Sequence, residues 1–376
     1  MLEVIIYIAF GVVAILLFIM ARQLGFALSH FIPPVYTTPI GNDVDLPSVT
    51  VCIPARNEQH ALTDCLQRVI ASTYEKLEII VLDDVSGDDT SALIKSFASE
   101  GVRFVKGPKL PAGWLGKNHA LQGLLKEASG TYVLFIDVDT RLAPDAIENL
   151  VRYAISQRAA MVSVLPRRED GWRASVLFSP LRYFWELIFN RYVSPSSASN
   201  AWLVRRQFLE SHFNGFELFK NAIQPEAKIA DVLALSNEYR FLIGSEAFGI
   251  SYEKKWRSQL LTSVRLLFPV LRKQISLSLM ALIDIALLLL PFIVLVSTLY
   301  VPFGTVHVVA GLLALASLTL YGAYTQRVWK KGWYVGVLLW PYILVQEFCL
   351  IIASVIQYKR KLVTWKGRVI RPEAQN

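Results

Sequence analysis

Apolar runs along the chain are of two lengths, and they sort it into two kinds of structure. Residues 2–21, 275–300, 306–324 and 333–358 are long and almost uncharged, and each reaches the roughly 20 residues that cross a hydrocarbon core. Shorter apolar runs at 49–54, 77–82, 102–106, 131–136 and 159–165 alternate with helical patterns at 58–71, 89–99, 117–128 and 144–156. Strands too apolar to alternate, separated by helices, predict an α/β fold whose parallel sheet is covered on both faces. Ligands of such sheets bind beyond the carboxyl ends of the strands. Past Arg168 the pattern weakens. Residues 172–192 are rich in aromatics but interrupted by Arg173, Arg182, Glu186 and Arg191, which predicts a helix lying in the membrane interface. Residues 260–271, with Arg265 among them, predict a second such helix.

The layout that follows is an N-terminal anchor over 1–24 and a Rossmann-like globular domain over 44–255. An interfacial amphipathic stretch (256–274), membrane segments (275–358) and a basic tail (359–376) complete it. Four prolines, Pro33, Pro34, Pro39 and Pro47, mark the linker after the anchor.

Composition agrees. An apolar content of 54% and a mean hydropathy of +0.42 exceed soluble usage. The net charge of +8 is not spread as a nucleic-acid surface would be, and no nucleic-acid partner is expected. Arg22, Arg265, Arg272, Lys273, Arg327, Lys330, Lys331, Lys359, Arg360 and Lys361 flank the apolar segments, as the positive-inside bias requires. The first segment lacks a basic leader and a small-residue cleavage site, so it reads as an uncleaved anchor. Cys52, Cys65 and Cys349 have no metal-ligand spacing and read as buried, reduced thiols. The last apolar segment conflicts with the rest. A full crossing would put its basic tail outside, and Pro341, Gln346 and Glu347 interrupt it. A bent or re-entrant hairpin with a cytoplasmic tail resolves the conflict.

Polar clusters follow the short strands: Pro54-Ala55-Arg56-Asn57-Glu58 after the first and Asp83-Asp84-Val85-Ser86-Gly87-Asp88-Asp89-Thr90 after the second. The loop Gly113-Trp114-Leu115-Gly116-Lys117-Asn118-His119-Ala120 precedes a helix, and Asp137-Val138-Asp139 follows the strand after it. Acidic side chains converging on one sheet edge repel one another unless a divalent cation or a hydrogen-bonding ligand sits among them. Asp88 and Asp89 read as caps of the next helix, and His119 as a packing residue. Asp284 and Glu347, acids inside apolar segments, are candidates for function by their place alone, and Glu347 has the alternative of facing water at a bend.

Those clusters resemble family 2 glycosyltransferases. Residues 81–90 are similar to that family's nucleotide-recognition segment, 136–140 to its metal-binding Asp-x-Asp, and 54–58 to its opening motif. Residues 113–120, and Thr364-Trp365-Lys366-Gly367-Arg368 near the C-terminus, resemble the membrane-bound subgroup that glycosylates carotenoid acids such as diaponeurosporenoate, and hopanoid-associated relatives. The resemblance implies a nucleotide-diphospho-sugar transferase (GT-A) domain. It implies that Pro54, Ala55, Glu58, Asp83, Asp84, Lys117 and Asp137 bind the donor and that Asp139 holds Mg2+ or Mn2+ on its diphosphate. Trp256 is a candidate on the acceptor side, with an interfacial anchor as the favoured competing reading.

The family's Glu-Asp general base is matched by Ala230-Asp231, which leaves Asp231 as the catalytic candidate. It serves either as sole base for a hydroxyl acceptor or as a lesser helper for a carboxylate, already ionised near neutral pH. An ordinary solvated helix residue is the competing reading. The Gln-x-x-Arg-Trp of polymerising relatives is replaced by Lys254-Lys255-Trp256-Arg257, which favours transfer of one sugar. The expectation is therefore an inverting, metal-dependent enzyme of the cell membrane, multi-pass, with its catalytic domain in the cytoplasm. It would move a single sugar, favoured by the resemblance as a UDP-sugar, to a lipid such as a carotenoid acid or hopanoid. The alternatives are transfer to a polyprenyl phosphate, nucleotidyl transfer (disfavoured because 54–58 contains no glycine) and a non-catalytic membrane scaffold of the same fold.

Overall fold

In the computed structural model residues 2–32, 45–169, 181–189, 195–365 and 368–369 are described. The chain opens with α1 (Leu2–His30). It then alternates β1 (Val49–Ala55), α2 (Leu62–Ile70), β2 (Leu77–Asp83), α3 (Thr90–Ser96), β3 (Val102–Lys106), α4 (Gly116–Glu127), β4 (Tyr132–Ile136), β5 (Thr140–Leu142), α5 (Ala146–Ser156), β6 (Met161–Leu165) and β7 (Arg167–Arg168). It continues through α6 (Arg182–Ile188), β8 (Ala201–Arg205), α7 (Arg206–Phe213), α8 (Pro225–Leu235), β9 (Tyr239–Ile243) and β10 (Ile250–Tyr252). The last part holds α9 (Trp256–Val270), α10 (Ile275–Val296), α11 (Thr305–Val328), α12 (Trp333–Leu338), α13 (Trp340–Lys359), β11 (Thr364–Trp365) and β12 (Arg368–Val369). Two compact units result. One gathers α1, α6 and α9 to α13; the other gathers the strands β1–β6 and β8–β10 with α2–α5, α7 and α8, and takes in β12.

In the sheet-bearing unit seven strands run in the order β3-β2-β1-β4-β8-β6-β9. The pairs β1–β2, β1–β4, β2–β3 and β6–β9 are parallel. The expected all-parallel sheet is corrected at one strand: β8 runs antiparallel to both β4 and β6. Its approach is pinned by Ser163 Oγ, which accepts the Ala198 N–H at 2.8 Å and donates to the Ala198 carbonyl at 2.9 Å. Trp202 of β8 then stacks on Phe135 of β4 with ring centroids 4.4 Å apart. One face packs Val51, Ile53, Val81, Leu134 and Ile136 against Leu66, Leu150 and Val151 of the covering helices; such a side chain, fully buried, contributes about 1.5–3 kcal/mol.

The helical unit contains four helices long and apolar enough to cross a membrane among the described residues, Glu3–His30, Ile275–Leu299, Thr305–Val328 and Trp340–Lys359. The first runs on past the expected boundary at residue 24. Its Tyr7 hydroxyl bonds Thr305 Oγ1 at 2.8 Å, and Phe10 packs with Val294 and Ala310. The N-terminal part of α1, the end of α10 and the start of α11 therefore lie together.

The last apolar segment is not one rod. It breaks at Leu339 into α12 and α13, with Pro341 in the first turn of α13. Here α12 retraces the end of α11: a Cβ on Gly336 would come within 2.8 Å of the Trp329 ring, and one on Gly322 within 3.3 Å of Val337. Trp340 then stacks on Tyr321 at 4.1 Å and donates from Nε1 to Ser317 Oγ at 2.7 Å. Trp329 to Ser317 is about 18 Å of helix. From there α13 ends against α9. Ser354 Oγ accepts the Phe268 N–H at 3.0 Å and donates to the Val264 carbonyl at 2.6 Å, while the Tyr358 hydroxyl donates to the Arg265 carbonyl at 2.7 Å. Because α9 leads directly into α10, the end of α13 lies beside the start of α10. Glu347, one candidate for facing water, is instead buried and accepts the Leu181 N–H ahead of α6 at 3.3 Å.

Of the interfacial stretch expected over 172–192, α6 is the helical part described; residues 170–180 and 190–194 lie outside the described residues. It groups with the long apolar helices, not with the globular domain that was expected to contain it. The second interfacial stretch forms α9.

Candidate active site

Register brings the polar clusters to one edge. Ala55 pairs with Asp83, and Asp83 with Lys106, so β1, β2 and β3 end level. Cys52 pairs with Phe135, which carries Asp137 to the level of Pro54 and Ala55. The expected residues 54, 55, 83, 84 and 137 thus share the carboxyl edge of the sheet.

Two loops there are stitched together. Asn57 donates its backbone N–H to Ser86 Oγ at 3.0 Å and accepts the Gly87 N–H on Oδ1 at 2.8 Å. The Glu58 N–H donates to Thr90 Oγ1 at 2.9 Å, and the Glu58 carboxylate stands 3.9 Å from His60 Nε2. The Arg56 guanidinium donates from Nη1 to the carbonyls of Asp84 and Val85, the latter at 2.8 Å. Asp88, one of the two expected caps, takes the Thr90 N–H at 3.1 Å on Oδ1 and the Gln59 N–H on Oδ2. Burial opposes ionisation there, and the hydrogen bonds from Thr90 and Gln59 outweigh it, so the carboxyl is held below its usual range. Asp89 makes no side-chain cap. Asn57 and Val85 both have φ above zero, at 52° and 55°. For a β-branched residue that conformation costs about 1–2 kcal/mol, and Val85 is 51% exposed, without burial to offset it.

The two acids of β2 divide their work. Asp83 accepts the Ser86 N–H at 3.1 Å and the Ser86 hydroxyl on Oδ1, so that oxygen shapes the turn. Asp84 is 2% exposed and its N–H donates to the Ala55 carbonyl at 2.8 Å. Across β1, Lys117 Nζ bonds Asp137 Oδ1 at 2.7 Å, both side chains half-buried. The Asp139 carbonyl accepts the Glu253 N–H at 3.2 Å, and Arg141 bonds Asp64 at 2.9 Å and Glu253 at 2.7 Å. Among the described residues no group of three or more His, Cys, Asp or Glu is arranged to hold a metal. Asp139 and Asp137 supply two carboxylates at one strand end, which suits a hard cation that takes its other ligands from substrate phosphates.

Sequence reasoning passes over Asn118. Buried on α4, its Nδ2 donates to the carbonyls of Phe219 at 2.6 Å, Ala222 at 2.7 Å and Lys220 at 3.3 Å, and the Leu115 N–H donates to Lys220 at 2.8 Å. The Lys117 loop is thereby fixed to the segment leading into α8. His119 packs its ring edge-on to Trp114 at 5.5 Å, in keeping with the packing role expected of it. The loop after β3 is a second omission: Lys106, Gly107, Pro108, Lys109 and Leu110 line a cavity of about 640 Å³ with Val85. Gly107 is obligatory there, since a Cβ would stand 2.7 Å from the Asp83 carbonyl oxygen. Asp231 lies in the middle of α8, 30% exposed and 3.9 Å from Lys228. Trp256 begins α9 in the helical unit, with the Arg257 guanidinium 5.2 Å over its ring.

Residues 50–213 match the family profile described as glycosyl transferase family 2. An undecaprenyl-phosphate 4-deoxy-4-formamido-L-arabinose transferase of Aeromonas hydrophila is 30% identical over 138 residues, 35% of this chain and 41% of the relative. A 4,4'-diaponeurosporenoate glycosyltransferase of Staphylococcus aureus is 31% identical over 121 residues, 32% of each chain. The chain thus spans less than half the length of these curated relatives. A mannosyltransferase of Pyrobaculum calidifontis, solved with GDP-mannose and Mn2+, superposes over 95% of this chain and 98% of its own with a TM-score of 0.56 and 18% identity, a likeness of fold.

Proposed function

We propose that the protein, whose residues 50–213 match the glycosyl transferase family 2 profile, moves a single sugar from a UDP-sugar to a lipid acceptor at the cytoplasmic face of the cell membrane, with inversion at the transferred carbon. The observation that carries this reading is Lys117 bonded to Asp137 at 2.7 Å, two residues before Asp139, on the same sheet edge as Asp84. A cation, two carboxylates and a buried acid at one edge suit a nucleoside diphosphate: Asp84 toward base and ribose, Lys117 toward phosphate oxygens, Asp137 and Asp139 toward ribose and metal. Mg2+ or Mn2+ held at Asp139 would neutralise charge on the departing diphosphate. Both relatives just described carry lipid-linked acceptors in their names, and four apolar helices give this chain access to such lipids.

Asp231 is proposed as the base that takes the acceptor's proton. The reaction is tested with protein in lipid nanodiscs, a UDP-sugar, Mn2+ and bacterial lipid extract, by following UDP release. Asp231→Asn should lower lipid-dependent release by about a hundredfold for a hydroxyl acceptor, and less for a carboxylate, while UDP binding stays unchanged. Equal release by wild type with and without lipid would remove the lipid from the reaction.

The proposed topology has α1, α10 and α11 crossing and α12–α13 forming a hairpin that enters and leaves on one side. The return of α13 to α9, and the grouping of β12 with the sheet-bearing unit, support a cytoplasmic tail. Arg371 lies outside the described residues, and a cysteine there reports the side. Arg371→Cys on a Cys349→Ser background should resist a membrane-impermeant maleimide on intact cells and react after permeabilisation. Burial pushes the Cys52 and Cys65 thiols well up, which keeps them silent. Labelling from outside would contradict the hairpin.

A further inference from the structure

We infer that the turn between α9 and α10 and the end of α13 form a site for the phosphate of an anionic phospholipid, held by Arg272, Lys273, Lys359, Arg360 and Lys361. The site rests on the membrane reading of the apolar helices and stands apart from the sugar-nucleotide reading.

A repaired backbone joins the two segments. Pro269 in α9 has no N–H, so the Arg265 carbonyl loses its helical donor. The Tyr358 hydroxyl of α13 replaces it at 2.7 Å. One turn earlier in α13, Ser354 Oγ sits between the Phe268 N–H and the Val264 carbonyl, and the rings of Phe268 and Tyr358 lie 5.7 Å apart. Arg272 and Lys361 each lie about one helical turn beyond this junction, and α10 itself packs along α13. The two basic stretches therefore stand on one edge of the helical unit.

The charge at that edge has one sign. Residues 254–283 and 348–372 contain cations and no acid. Arg272, Lys273, Lys359, Arg360 and Lys361 are exposed and make no ion pair among the described residues. The Lys273 ammonium is nonetheless partly desolvated, which lowers its pKa, and no carboxylate offsets the shift.

Backbone strain concentrates this charge. The Arg272 N–H donates to the Pro269 carbonyl and the Lys273 N–H to the Phe268 carbonyl, both at 2.8 Å. At the end of α13 the Lys361 N–H donates to Tyr358 at 3.1 Å and the Leu362 N–H to Gln357 at 2.9 Å, which is the same cap. The left-handed residue of such a cap is ordinarily glycine. Here it is Arg272 in one helix and Lys361 in the other, at φ 54° and 57°, and Lys273 repeats the left-handed conformation at 54°. Arg158 closes α5 in the same way, so one left-handed cation is not distinctive; the consecutive pair is. Cations gain from a helix C-terminus and from the membrane edge, but neither gain requires two of them in succession on left-handed backbone. Strained positions of this kind cluster at ligand sites.

Apolar surface adjoins the cations on both helices. Ile275 and Leu279 are exposed along α10, and Ile352 and Ile356 along α13. Acyl chains suit that surface as phosphate oxygens suit the cations, which points to a lipid and not to a soluble anion.

The test uses the full chain in nanodiscs of phosphatidylcholine, with and without phosphatidylglycerol, and reads Tm together with the lipid retained in native mass spectrometry. Wild type should retain phosphatidylglycerol over phosphatidylcholine and gain Tm from it. Arg272→Gly with Lys273→Gly relieves the left-handed strain, so Tm in phosphatidylcholine alone should hold or rise. Its binding of phosphatidylglycerol should weaken about twenty-five-fold, about fivefold for each cation. Lys359→Gln with Lys361→Gly should weaken it by a similar factor from the other helix. Arg327→Gln with Lys331→Gln removes equal charge beside the end of α11 and should leave retention unchanged. No preference in wild type, equal retention by wild type and the glycine pair, or an equal loss in the Arg327 and Lys331 variant would overturn the inference. So would inorganic phosphate that raises Tm in phosphatidylcholine as much as phosphatidylglycerol does.

Discussion

Asp139→Asn is expected to reduce sugar transfer by about a hundredfold or more, the scale on which losing one group that stabilises developing charge is felt. The departing diphosphate gains charge as the bond to the sugar breaks, and Asp139 is the carboxylate proposed to hold the cation that offsets it. The substitution keeps shape and removes charge. Asp139 is held in place through its main chain, whose carbonyl accepts the Glu253 N–H, and Glu253 is itself fixed by Arg141. Folding should therefore survive, with an unchanged Tm, and the loss should appear in turnover. Raising Mn2+ should restore little. Activity near wild type at saturating Mn2+ would remove Asp139 from the metal site.

The second large effect is one of stability. Asn118→Leu should lower Tm by about 6–12 °C, which is about 3 kcal/mol for a domain of this size. One buried amide serves three backbone carbonyls, two of them at 2.6 and 2.7 Å. Leucine has similar volume and no donor, so part-buried carbonyls lose their bonds, at about 1–3 kcal/mol each. The same clamp holds the loop of Lys117, so nucleotide affinity should fall with stability. A thermal shift within about 2 °C of wild type would show that the clamp contributes less than one such bond.

The polar edge of the sheet is legible in the sequence because its strands are continuous apolar runs, each followed at once by polar residues. Residues 77–82 followed by Asp83 and Asp84, and 131–136 followed by Asp137, state both strand and site in one stretch. The same rule fails at β8. Ala201–Arg205 is short, abuts Arg206, and earns its place by pairing antiparallel between β4 and β6, partners distant along the chain. Local pattern carries no information about such an insertion. The start of α2 moves later than expected for a local reason: Asn57 is left-handed and residues 58–61 form a turn before Leu62.

Among residues of the candidate site, charged ones are read readily and clamps are not. Asp84, Asp137 and Lys117 declare themselves by their place after strands or in a glycine-bearing loop. Asn118 does not, because its partners are carbonyls of residues 219–222, invisible in any motif. Val85 is hidden differently: as an apolar residue in a polar loop it reads as incidental until its φ and exposure are known. The bend in the last apolar segment is the converse case. Pro341 announces a bend there, and the chain breaks at Leu339 before α13 returns to α9.

The measurement that bears most directly on lipid glycosylation is mass spectrometry of lipid extracts from isogenic cells with the protein, without it, and with Asp139→Asn in its place. The account predicts a lipid heavier by one hexose in the first cells, absent from the other two, with its unmodified precursor accumulating there. Identical lipid profiles in all three, under conditions where the protein is made, would contradict it.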